Sequence, residues 1–147
     1  MTHLNLDADG VARIGLMFLD GDELEKAVID GVGQVDYDFQ YFNRVKKIVM
    51  KIEKINPSLK LTAVVWQKKP ENDALMMPMV AGSQLPREGH SFAVINKTAG
   101  SAFDGVFGGL FDRGDGTRSR YYPVRNSDHE IIAVLELLEG ERVANDI

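Results

Sequence analysis

The sequence predicts an α+β fold: an antiparallel sheet of about five strands with a long N-terminal helical region packed on one face. Two observations carry this. Within residues 37–55, Phe42, Val45, Ile48, Val49, Ile52 and Ile55 follow one another at spacings of three, three, one, three and three. That is one apolar stripe at the helical period. The chain then closes on a hairpin pattern, with Arg120 to Val124 as one arm, a turn at residues 126–129, and Ile131 to Leu137 as the other.

The remaining elements follow in order. Val11, Ile14, Phe18 and Leu19 fit a helical face, although Ile14, Leu16 and Phe18 also alternate as in a strand. A helix is expected here, broken near Asp20 and Gly21, with a second short helix from Asp22 to about Ile29 and Asp22 as its N-cap. Gly31 and Gly33 open a loop. The long helix stops at Asn56-Pro57, because the residue before a proline is pushed out of the helical region. Leu59 to Gln67 alternates and is rich in β-branched residues, so it reads as a strand. Residues 68–73 turn, and Ala74 to Ala81 returns as the second arm. Pro78 has no amide hydrogen, so this arm lies at an edge or is bulged there. Residues 82–89 read as a loop, Ser91 to Ile95 as strand or helix, and Asn96 to Asp104 as a short helix or loop. Gly105, Gly108 and Gly109 mark close packing or a bulge, and Gly114-Asp115-Gly116 a turn.

Composition narrows the function. The chain has 147 residues, 44% hydrophobic and 27% charged, which supports one soluble-type domain with a core. The net charge of −5 argues against nucleic acid as a partner. The lysines of the long helix, Lys46, Lys47, Lys51 and Lys54, read as a solvated face. The absence of cysteine removes disulfides, thiolate metal sites and cysteine nucleophiles together. No stretch approaches the roughly 18 apolar residues of a membrane span, and Met1 to Asp7 carries no signal-peptide pattern. The expectation is a single domain over residues 1–147, cytoplasmic if complete as given, or cut from a longer protein.

No catalytic motif stands out. Asn5 to Gly10 resembles the first half of a calcium-binding loop, but the twelfth position is Leu16 where a bidentate glutamate is needed, so a capped loop is the better reading. Arg113-Gly114-Asp115 reads as a hairpin turn rather than an adhesion signal. Asn96-Lys97-Thr98 fits a glycosylation pattern without a secretory context to give it meaning. His3, His90 and His129 lack metal-ligand spacing. No phosphate-binding loop or nucleophile elbow occurs, so no cofactor and no metal are expected. Trp66 with Met76, Met77 and Met79 forms a soft apolar group, read first as core packing and second as the lining of an adaptable pocket.

The order of segments resembles the extracytoplasmic Cache sensor domains, a PAS-like family found in histidine kinases, diguanylate cyclases and chemoreceptors. The matching segments are Phe18 to Leu24, Ile52 to Pro57 leading into Leu59 to Leu61, the Asp115-Gly116 turn, Ser119 to Val124, and Ile131 to Leu135. The resemblance covers residues 18–138, with a poor match between 68 and 105. It implies a PAS-like sheet, a small-molecule ligand as partner, and membrane attachment only through flanking segments. It also implies a ligand between the sheet and the 82–112 segment, approached by Trp66, Met77, Met79, Arg118 and Tyr121. Two positions depart from the family pattern. Ala63 stands where a tyrosine is usual, and Pro78 or Met79 where an acidic residue is usual, which suits an apolar ligand or none. Two other classes stay open: a ligand-free module that forms a homodimer through its N-terminal helix, and a small enzyme of unfamiliar type. The sensor reading expects no enzymatic activity.

Overall fold

A computed structural model describes residues 6–31, 39–82 and 92–140, with the side chains of 27–42 outside the description. The expected loops at Gly33 and 83–89, the start of the long helix at Tyr37, the Phe42 side chain, His3 and His90 therefore lie outside the described residues. The elements in chain order are α1 (Ala8–Phe18), α2 (Gly21–Gly31), α3 (Phe39–Glu53), a single 3-10 turn (Pro57–Leu59), β1 (Thr62–Lys69), β2 (Asn72–Ala81), β3 (Ala93–Val94), α4 (Lys97–Phe103), β4 (Gly109–Asp112), β5 (Arg118–Arg125) and β6 (Ile131–Glu139).

The sheet is antiparallel and has six strands in the order β3-β2-β1-β6-β5-β4, not five. The strand missing from the sequence reading is β4, whose Gly109 pairs with Tyr121 and Asp112 with Arg118. Its four residues follow a glycine cluster and alternate too briefly to give a period. The bulge reading of Pro78 is the one realised. Val65 pairs with Val80 but Trp66 with Pro78, so Met79 is the extra residue. β2 is not an edge strand, since Leu75 and Met76 pair with β3.

Helices α1, α2 and α3 cover one face. The stripe predicted for α3 is where it was expected, with Val45, Val49 and Ile52 buried and Ile48 and Ile55 packed beside them. They meet Val11, Ala12, Leu19 and Leu24 from the helical layer, and Ala63, Val65, Tyr122, Val124, Leu135 and Leu137 from the sheet. α1 packs tightly on α3 at Gly15, where a Cβ would stand 2.7 Å from Ile52 Cγ1.

The helix break at Asp20 is also observed, but the cap differs from expectation. The Asp20 carboxylate, not that of Asp22, accepts from the first amides of α2, at 2.9 Å from Asp22 N and 3.4 Å from Glu23 N. Asp22 instead accepts from the amide and hydroxyl of Ser127, tying α2 to the β5–β6 turn. These hydrogen bonds hold the Asp22 carboxyl below the usual carboxylate range. Asp7 caps α1 through Gly10 N, which is what the calcium-like loop amounts to.

Candidate functional site

The other face of the sheet is covered by α4. Its sequence is short and small, so Ala99 and Ala102 bring the helix backbone close to the strands. They pack with Val64, Trp66, Met76, Ala81, Tyr121 and Val134, flanked by Ile95, Phe103 and Phe111. Asn96 starts the helix, its side-chain oxygen accepting from Ala99 N at 2.8 Å. Its amide nitrogen then donates to the Tyr121 hydroxyl at 3.1 Å.

In the middle of this face sits an acidic side chain. Glu136 interrupts the apolar run of β6 and is 4% exposed. It lies opposite Val64 on β1 and opposite Tyr121 on β5. Trp66 Nε1 donates to one carboxylate oxygen at 2.8 Å. Arg113 donates to the other at 2.7 Å, and the buried Ser119 hydroxyl donates to that same oxygen. Arg113 comes from the β4–β5 turn. Its Nε reaches Ser119 Oγ at 2.7 Å and its terminal nitrogen reaches the Tyr121 hydroxyl at 3.3 Å. A buried carboxylate is tolerable only with such a full set of donors and a compensating charge. Burial, followed by the Glu136 charge, pushes the Tyr121 phenol upward. The guanidinium keeps 30% of its side chain exposed, so the network touches water through Arg113.

The next residue of β5 points the other way. Tyr122 donates to Asp9 Oδ1 of α1 at 2.8 Å. Phe107 packs edge-on against the Tyr122 ring, with centroids 4.7 Å apart, and Arg13 lies over Phe107. Burial, then the hydrogen bond to Asp9 and its charge, raises the Tyr122 phenol well above its usual value of about 10. The sign of the consequence is fixed. A raised folded-state value means the stabilisation is complete below about pH 10 and is lost as pH rises above it, because the unfolded chain loses its proton first. Wild type should therefore lose stability above pH 10 more steeply than Tyr122→Phe, by up to about 1.4 kcal/mol per pH unit. Urea unfolding between pH 9 and 11 measures this, and parallel curves would reject the buried Tyr122–Asp9 contact.

Of the five residues expected around one cavity, Trp66 and Tyr121 come together on the α4 face. Met79 packs on the opposite, helical face. Met77 follows Met76, which belongs to the α4 face, so alternation turns it away from Trp66. Arg118 is one residue out of phase with the network. Ser119 and Tyr121 face α4, while Arg118 is exposed and pairs with Glu139 at 3.3 Å. The five are thus divided between two faces. The bulge at Met79 and the phase of β5 are what sequence alternation could not supply. Glu136, Arg113, Ser119 and Asn96 were missed. Glu136 did leave a signal, a lone carboxylate inside an apolar strand run. Arg113, in a turn, left none.

Comparison with solved structures places this architecture. The chain superposes on the structure of a GAF domain with a TM-score of 0.51, covering 97% of this chain and 80% of that one at 10% identity. The fold is GAF-like. The GAF domain of A. aeolicus nlh2 in an inactive state aligns over 90% of this chain and 83% of that one, at 10% identity and a TM-score of 0.43. No family model and no curated protein matches the sequence. The PAS-like class expected from the sequence is thereby met at the level of a GAF-like sheet-and-helix fold, with six strands in place of five.

Proposed function

We propose that this GAF-like chain is a sensory or regulatory module that binds a small molecule on the α4 face and converts nothing. The observation that carries the reading is the Glu136–Arg113 network. A buried ion pair contributes little to stability compared with apolar packing of the same volume. A charged pair held by Trp66, Ser119 and Tyr121 under a short helix is better explained by recognition. Arg113 keeps 30% of its side chain exposed at the rim of the network, where its positive charge favours a carboxylate or phosphate. The ligand is accordingly polar, in place of the apolar one inferred from Ala63 and Pro78.

The route to an output runs through β5. Tyr121 belongs to the network and its neighbour Tyr122 is bonded to Asp9 of α1, so a displacement of β5 at the site is felt in the helical layer. A Cache-type sensor on the extracytoplasmic side of a histidine kinase, diguanylate cyclase or chemoreceptor is the specific form of this proposal, supported by the segment order from Phe18 to Leu135. No helix among the described residues is long and apolar enough to cross a membrane.

The test is a thermal-shift screen of small carboxylates and phosphates, followed by mass spectrometry of the bound compound. At a hundredfold excess over Kd a ligand should add about 2.7 kcal/mol, or roughly 5–10 °C in Tm. The shift should shrink in Tyr121→Phe and Asn96→Ala, and the compound should be recovered unchanged. A ligand that stabilises those variants equally would move the site elsewhere, and recovery of a product would replace the sensor with an enzyme.

A further inference from the structure

The helical layer holds a cleft that the network on the opposite face does not use. It has a volume of about 370 Å³ and lies between α1 and α3, lined by Ile14, Gly15, Phe18, Ile48, Lys51, Ile52 and Ile55. One end of it is set by the contact at Gly15, where the Ile52 side chain of α3 packs directly on the α1 backbone. Away from that point the branched side chains of Ile14, Ile48 and Ile55 wall an open groove. The volume falls in the range of small-molecule clefts, about 300–1,000 Å³.

Three features define what fits. Six of the seven lining residues bring no charged group, and the lining contains no carboxylate. Phe18 at the mouth is 66% exposed and its neighbour Met17 is 80% exposed, so the fold leaves apolar surface in water beside the groove. The lone charged lining residue is Lys51, and the exposed Lys47 and Lys54 stand four and three residues from it, on the same side of the helical turn. This positive row occurs in a chain of net charge −5.

We propose that this cleft binds a single-chain anionic amphiphile, its acyl chain along Ile14, Ile48 and Ile55 and its carboxylate at Lys51. Phe18 closes over the chain. A second copy of the protein is the weaker occupant, because two-fold packing on α3 would set one lysine row against the other. A bilayer is weaker too, since the apolar lining is concave and takes one chain.

The test uses laurate below its micellar concentration, with dodecanol as the neutral isostere, on the full 147-residue chain. Binding is read by displacement of a fluorescent fatty-acid probe and by thermal shift. Laurate should bind with one-to-one stoichiometry and about fivefold more tightly than dodecanol, as befits one partly exposed ion pair. Lys51→Glu should erase that preference and leave dodecanol unchanged. Phe18→Asp should weaken both ligands more than about tenfold, through the lost apolar cover. Lys51 is exposed, so its variant stays informative even where Phe18→Asp alters the fold. The proposal is overturned by equal binding of laurate and dodecanol, by unchanged laurate affinity in Phe18→Asp, by binding to anionic vesicles without binding to monomeric laurate, or by a dimer that Phe18→Asp dissociates and laurate does not.

Discussion

Arg113→Ala should lower the unfolding free energy by about 2–3 kcal/mol by breaking a largely buried ion pair at the α4 face. The estimate sits below the usual range for a broken buried pair because Arg113 is 30% exposed and its Glu136 partner only 5%. Truncation leaves the Glu136 carboxylate with Trp66 and Ser119 as donors and no neutralising charge. Adding Glu136→Gln to Arg113→Ala should restore about half of the loss. The amide still presents an acceptor to Trp66 Nε1 and carries no charge to bury. Urea unfolding of the two variants at pH 7 decides it. If Arg113→Ala unfolds within about 0.5 kcal/mol of wild type, the pair is a solvated one and the network argument falls with it.

Gly21→Ala should be comparably damaging, by about 3 kcal/mol. Gly21 opens α2, where alanine would ordinarily be the better helix former by about 1 kcal/mol. Here a Cβ would lie 2.1 Å from the Arg125 carbonyl oxygen and 3.0 Å from Asn126 Cα. Those are backbone atoms at the end of β5, and a rotamer change cannot move them aside. The control is Gly100→Ala in α4, where the nearest atom to a new Cβ is Ile95 Cγ2 at 3.6 Å. That substitution should stabilise the protein by about 0.5–1 kcal/mol. Equal effects of the two substitutions in thermal unfolding would show that α2 does not abut β5 in this way.

The longer parts of this fold were readable because their burial leaves an apolar pattern extended over many residues. Val45, Val49 and Ile52 recur with the helix, and Ala133 to Leu138 is a run that a central strand buries on both faces. The short parts were not. β4 has four residues, too few for alternation to register, and α4 has seven, too few for its pattern to separate a short helix from a loop. The site was the least readable. Whether Met77 or Met79 faces Trp66 depends on one bulged residue, and one residue of phase decides whether Arg118 or Ser119 joins Glu136. Arg113 reaches the network from a turn, a placement set by tertiary geometry and absent from any local pattern.

The strand order has a consequence for how the chain is made. The two central strands, β1 and β6, come from opposite ends of the described sheet sequence, with Thr62 paired to Leu138 and Trp66 to Val134. Each half can form its own local hairpin, β1 with β2 and β5 with β6. The halves join through a single long-range pairing, whose loop must close before it is rewarded, so folding should be slow for a chain of this size. During synthesis, β1 presents its unpaired edge, with Val64, Val65 and Trp66, until residues 131–139 leave the ribosome. A chain that stops short of Ile131 therefore carries an open apolar strand edge, and aggregation rather than a smaller folded domain is its natural fate.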